Sequence, residues 1–434
     1  MLPFTFLCLC ILAQAYSLPV LTVGPSWAVW PTPPVITACG MIGIAVLASP
    51  GAWPPLRKMI GGYVLLFALC LLSVALVTVA AHDLLIPDAT LDFGFPLYHV
   101  WIMGLAGGSL WAASTIHIRP DRFPLLANVT LAALLWICVS IVLTYKNFIP
   151  TRELAPQLPM DPGVSGAFSR YLLNMEGAGL GTVGYNHAYP AAVVLILSAL
   201  WLQLLPRGRR PLLRALVLSL GLVAVFLTGS RAGFAGFLLF FAAVAAAERS
   251  IRTLFGIVAL GLLLALAVAA LEVPIEETMQ RQAAVFEAPS AEALAGRDVI
   301  WQHRLQFLND DKVRWLIGTG FGSAMATGSD AHMLYLHIVV EMGVLGLLAF
   351  IVFYASILHA LWRRLPYSRY FFLATACLLV SSLTQETLYP VPALGFTLPL
   401  YLIALAVTIR SSDEARLRAV RPSPRARPTS AASG

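Results

Sequence analysis

Arg231 stands in the stretch LTGSRAGFAGF, Leu227 to Phe237, between two apolar runs of a 434-residue chain in which only 11% of residues are charged. Its guanidinium stays protonated and presents a planar fork of donors that matches phosphate and carboxylate oxygens. Two readings fit such an arginine: a side chain snorkelling to headgroups, or an anion site facing a cavity. A second group lies in AGRDVIWQHRLQFLND. There Arg297, Trp301, Arg304 and Leu308 recur at steps of three and four and so share one face of a helix. That face either rests on a membrane surface or serves an anion. The third group is DAHMLYLHIVVEM, with Asp330 and His332 near its start and Glu341 further on. A lone histidine there is either structural or a proton acceptor. Asp330 and His332 are metal-ligand types, yet no third ligand follows at a useful spacing, so no metal and no cofactor are expected. Glu341 falls within an apolar run and needs a partner or a polar cavity; it reads as a structural hydrogen-bonding group. The run Gly318-Thr319-Gly320-Phe321-Gly322 superficially resembles a dinucleotide loop, but no strand–helix–strand unit surrounds it. Its glycines suit a tight turn against a membrane domain instead.

What must position these residues is a membrane domain. Hydrophobic residues make up 59% of the chain, and a soluble domain carries roughly 25% charged residues, far more than are present here. An all-α polytopic membrane protein follows. A span needs about 20 apolar residues. Twelve candidates lie near 2–17, 34–50, 60–81, 95–117, 124–144, 186–205, 212–228, 232–247, 253–272, 333–361, 371–386 and 393–409. Ala13-Gln14-Ala15 resembles a leader cleavage site, but no basic stretch precedes the apolar run, so a retained helix is expected. The six cysteines lie in apolar runs without disulfide or zinc spacing and read as small buried hydrophobes.

Loop charge sets the expected orientation. Most of the 28 Lys and Arg fall in alternate loops: Arg57 and Lys58, Arg119 and Arg122, the cluster from Arg207 to Arg214, Arg249 and Arg252, and Arg363, Arg364 and Arg369. The tail from Arg410 to Arg427 has the same parity. The positive-inside bias makes that side cytoplasmic, with both termini there. The net charge of +7 then reports topology; membrane lipids are expected partners and nucleic acid is not. The chain divides into five helices over 1–144, a long outer loop over 145–185, and helices six to nine over 186–272. A large, partly helical outer loop follows over 273–332, then the last three helices over 333–409 and a basic, disordered tail over 410–434. Arg231 is the basic residue of a short outer loop, where the positive-inside pattern disfavours it.

Five pieces in this order resemble the O-antigen ligase and polymerase superfamily: GLGTVGYNHAYPAAVV ending at Val194, LTGSRAGFAGF, AGRDVIW from Ala295 to Trp301, GTGFG from Gly318 to Gly322, and DAHMLYLHIVVEMGVLGLLAF from Asp330 to Phe350. The resemblance covers roughly residues 180–360, with the lipid A–core O-antigen ligases as the nearer branch. Met333 follows His332 where the family commonly has asparagine, so a role resting on that asparagine does not carry over.

The resemblance implies transfer of a glycan from undecaprenyl diphosphate on the periplasmic face of a bacterial inner membrane, without a metal and with inversion at the anomeric carbon. The acceptor is lipid A–core oligosaccharide for a ligase and another lipid-linked repeat for a polymerase. The residue chemistry fits. A departing diphosphate needs a fixed cation, for which Arg231 and Arg297 are the candidates, with Arg170 and Arg304 behind them. The acceptor hydroxyl needs a base, and His332 is the candidate. Tyr335 is placed to orient that base or the sugar, and Asn186 and His187 echo an Asn-rich turn of the family. A glycan transporter or flippase is the reading from another class; it would want ionisable groups at membrane depth.

Overall fold

Apolar segments flanked by Pro, Gly and charge fold as helices here because lipid offers no partner to backbone N–H and C=O groups, so each segment must satisfy its own. The computed structural model describes residues 2–14, 32–48, 51–79, 81, 85, 94–145, 188–205, 211–248, 261–262, 279, 283, 297–324, 331–390 and 397–420, and no strand occurs among them. In chain order the helices are α1 (Leu2–Gln14), α2 (Thr32–Ala48), α3 (Pro54–Ser73), α4 (Gly94–Thr115), α5 (Phe123–Tyr145), α6 (Ala188–Leu204) and α7 (Pro211–Leu227). They continue with α8 (Arg231–Glu248), α9 (Arg297–Asn309), α10 (Lys312–Ile317), α11 (Leu334–Trp362), α12 (Leu365–Ser381) and α13 (Thr397–Val420).

Four stretches are long and apolar enough to cross a membrane, Pro54–Val79, Pro120–Val142, Arg231–Glu248 and Leu334–Trp362, and shorter apolar helices accompany them. The chain reads as an integral membrane protein. Of the expected span 253–272 only residues 261 and 262 are described, both helical. The expected span 60–81 begins earlier, at Pro54, where Pro54 and Pro55 suit the first turn, and passes at its far end into a wide π turn, Val74–Val79. The expected span 371–386 instead runs from Leu365 to Ser381 and then opens into a non-helical stretch, 382–390.

α6 is the hub. It is apolar on all sides, and every residue but Gln203 is buried by the surrounding α5, α7, α8, α12 and α13. α13, buried from Thr397 through Arg410, is the second central helix and packs on α4, α6 and α12. It stays helical to Val420, so the first part of the tail expected to be disordered from 410 continues the helix. On the outside, α3 exposes Val64, Leu65 and Leu72, and α11 exposes Leu345, Leu348 and Val352. Exposed leucines and valines in such rows are a liability in water and ordinary against lipid.

α11 is broken. Gly343 sits at φ 64°, ψ −170° inside it, so the helix consists of two pieces. The glycine run fills the break. Thr319 and Gly320 donate their amides to the Val340 and Glu341 carbonyls, at 2.9 and 2.8 Å, which supplies partners to backbone groups freed by the kink. Gly318, at φ 74°, and Gly343 lie so close to the opposing backbone that a methyl on the first would overlap the Glu341 carbonyl carbon and one on the second the Leu316 oxygen. Only glycine fits at either position.

Candidate functional site

The turn between α7 and α8 positions Arg231. Gly229 takes φ 71°, reversing the chain. Ser230 then caps α8: its Oγ accepts from the Gly233 amide at 3.1 Å and donates to Gln385 Oε1 at 3.3 Å. Gly233 packs where a methyl would come within 2.5 Å of the Ala191 Cβ, so α8 is pressed against the hub. Arg231, half-buried, is therefore the first residue of a rigidly seated helix. A cation at a helix N-terminus lies against the positive end of the dipole, and an anion bound there relieves both.

His332 lies just before α11, which starts at Leu334, one residue later than the sequence suggests. It is half-buried and is the residue other than glycine with positive φ, 47°, among those described. Such a backbone costs on the order of 1–3 kcal/mol unless its neighbours impose it. Here both neighbours do. Trp301 Nε1 donates to the Ala331 carbonyl at 2.8 Å, and the Met333 amide donates to Glu386 Oε1 at 3.0 Å. One residue on, the Leu334 amide reaches the Ser382 carbonyl at 3.0 Å.

Residues 382–390 thus link the two candidates. Adjacent side chains, Gln385 and Glu386, reach Ser230 beside Arg231 and Met333 beside His332. α9 closes the other flank. Its expected shared face exists: Trp301 holds Ala331, buried Arg304 donates to the Ala324 carbonyl at 3.3 Å, and Leu308 is buried against Ala324 and Ala331. Arg297 is half-buried at the first position of that helix. Tyr335 donates to the Leu379 carbonyl at 2.7 Å and so ties α11 to α12; that hydroxyl serves the scaffold. Arg170, Asn186, His187 and Asp330 lie outside the described residues.

Beneath this layer is a buried polar cluster that reasoning from sequence largely missed. His337 and Glu341, one turn apart on the first piece of α11, meet His99 of α4, with His337 Nε2 3.3 Å and His99 Nε2 3.9 Å from Glu341 Oε1. Tyr389 donates to Glu341 Oε2 at 2.5 Å and the Ala324 amide to Oε1 at 3.2 Å. Glu386 Oε1 lies 3.5 Å from His337 Nδ1. Glu341 has the partners its position demanded. Ionisable groups inside apolar runs were the available signal, in HIVVE at 337–341 and QETLY at 385–389. His99, His337 and Glu341 are also the described residues whose donor atoms converge closely enough to hold a metal ion.

With this geometry in place, the chain can be set beside known families. Residues 214–351 match the family model described as O-antigen ligase. Over that stretch the match supports the resemblance to the O-antigen ligase and polymerase superfamily. The matched stretch contains the Arg231 turn, α9, the glycine run, His332 and the kink at Gly343. Members of this family are glycosyltransferase-like enzymes acting on O-antigen. A search of the curated proteins finds no match.

Proposed function

We propose that the protein is an O-antigen ligase, moving a polysaccharide from undecaprenyl diphosphate to lipid A–core oligosaccharide on the periplasmic face of the inner membrane. In this reading the chain has twelve spans and cytoplasmic termini. The ends of α8 and α11 that carry Arg231 and His332 then face the periplasm. The observation that carries the reading is the pair Gln385 and Glu386, which ties the Arg231 turn and the His332 segment into one layer.

The chemistry follows from the residues. His332 takes the proton of the acceptor hydroxyl as its oxygen attacks the anomeric carbon from the face opposite the leaving group. The C1–O bond to the diphosphate breaks, and its electron pair leaves on the phosphate oxygen. Arg231 and Arg297, each opening a helix, meet that charge with preformed donors, and one such donor is worth about 10²–10³ in rate. General-base assistance adds roughly 10²–10⁴. In this reading Arg170, Asn186 and His187 belong to the substrate surround, and Arg304 and Tyr335 support it from behind through the Ala324 and Leu379 carbonyls. Inversion at the anomeric carbon and no metal at the reacting centre complete it.

The test is transfer by purified protein in liposomes given the lipid-linked glycan and lipid A–core, with EDTA present. Glycan on lipid A–core supports the ligase. Longer chains on undecaprenyl diphosphate would replace it with a polymerase using the same residues. One observation favours a different class: His99, His337, Glu341 and Glu386 are ionisable and wholly buried, as a transporter for lipid-linked glycan would have them. Movement of the donor between leaflets without transfer would establish that reading instead.

A further inference from the structure

We propose that His99, His337 and Glu341 hold one divalent transition-metal ion, zinc by the chemistry of the donors, as a structural clamp between α4 and the first piece of α11. The proposal rests on the cluster alone and not on the transfer reaction.

The ring orientations carry it. His99 Nδ1 lies 2.8 Å from the Phe95 carbonyl, which can only accept, so Nδ1 carries the hydrogen and Nε2 presents a lone pair. His337 Nδ1 faces Glu386 Oε1 at 3.5 Å without a hydrogen bond, and ligation through Nε2 would place the hydrogen of this ring on Nδ1, towards that carboxylate. Both Nε2 atoms then point lone pairs towards Glu341 Oε1, at 3.9 Å for His99 and 3.3 Å for His337, and neither has a hydrogen-bond partner among the described residues. All three side chains are 0% exposed. Three lone-pair donors converging in a dry interior repel one another unless positive charge sits among them.

Distances and charge favour an ion. Ligands about 2.0–2.1 Å from a tetrahedral zinc stand roughly 3.3 Å apart. The three donor atoms lie within 4.8 Å of one another, so small rotamer shifts close the site. Two imidazoles and one carboxylate suit zinc over magnesium or calcium. The outer partners match what metal-bound groups require: a carbonyl behind His99, a carboxylate behind His337, and Tyr389 on the second oxygen of Glu341. With neutral imidazoles, one divalent cation balances the charges of Glu341 and Glu386. A single proton satisfies one nitrogen–oxygen pair and leaves the other nitrogen facing oxygen; an ion engages all three.

Such an ion fixes the piece of α11 that begins beside His332, ahead of the break at Gly343. Because the site is fully enclosed, it is loaded as the protein folds.

The experiment measures metal in full-length protein purified in detergent through a tag without histidines, in metal-free buffers after growth with zinc. We expect about one zinc per chain, and cobalt-grown protein showing the visible ligand-field absorption of a low-coordinate N/O site. His99→Gln and Glu341→Gln should lower zinc to roughly a tenth or less, while His303→Gln, on the exposed side of α9, keeps it. Should the His99 and Glu341 variants fail to fold, the wild-type zinc and cobalt measurements decide alone. Folded wild-type protein without stoichiometric metal and without the cobalt spectrum overturns the proposal, as does zinc retained in folded His99→Gln. Metal is counted whether or not the protein transfers glycan, so this result and that of the transfer assay are read separately.

Discussion

The two ends of the helix bundle use their polar side chains differently. At the end expected to face the cytoplasm, arginines meet carboxylates: Arg214 reaches Glu248 at 2.9 Å and Arg364 reaches Asp413 at 2.7 Å. Tyr370 adds its hydroxyl to Glu248 at 2.6 Å, and Arg410 stacks over Trp53. These contacts join helix to helix and neutralise charge locally. At the end that holds Arg231 and His332, apart from the Ser230–Gln385 pair, the contacts named above run from side chain to backbone. Trp301 holds Ala331, Arg304 holds Ala324 and Glu386 holds Met333. One pattern closes a bundle, whereas the other aims two residues that sit at the ends of helices. The difference separates a scaffold from a site.

Substitutions at the two ends should therefore fail in different ways. His332→Ala should produce the largest effect, a loss of about 10²–10⁴ in transfer with insertion and melting temperature unchanged. The acid limb of the pH–rate profile should disappear with it. An intact acid limb in the variant would remove His332 as the base. Arg231→Ala should lose about 10²–10³, and Arg231→Lys should recover only part, because a point charge lacks the fork. Full activity in the alanine variant would leave Arg231 as a snorkelling residue. Glu386→Gln comes next. It keeps an acceptor for the Met333 amide but removes the charge, and a hydrogen bond to a charged group is worth about 1.5–3 kcal/mol. We expect roughly a tenfold fall in kcat, as the His332 backbone is held by a weaker bond on one side.

Much of the fold was legible because hydropathy and spacing speak directly to membrane helices. Most expected spans coincide with helices, and Arg297, Trp301, Arg304 and Leu308 do share the face their spacing implies. The glycine run suits a turn against the membrane domain, and it forms one, with Gly318, Gly320 and Gly322 all at positive φ. Its partner was not legible. Nothing in GTGFG says that it fills a break at Gly343, because that pairing joins segments whose contact depends on tertiary packing. His332 and Arg231 stand out by type and place, yet the loop that links them does not, since Gln385 and Glu386 fall inside the expected span 371–386. His99 was missed for the same reason. A single histidine in an apolar helix gains meaning only when His337 and Glu341 arrive from another.

The smallest effect tests the other side of the comparison. Asp413→Asn weakens a pair whose side chains are 16% and 15% exposed, and it leaves Arg364 with the Ala360 carbonyl at 2.9 Å as a second partner. Trp53 Nε1 also points at Asp413, at a long 3.4 Å, and an amide oxygen can still accept from it. The cost should be about 1–2 kcal/mol of stability, read as a lowered melting temperature in detergent. Transfer per folded molecule should not change, because among the described residues no hydrogen bond or ion pair joins this pair to the His332 segment. If Asp413→Asn lowers kcat while the melting temperature holds, the two ends are coupled through α13 and α4, and the division between scaffold and site is wrong.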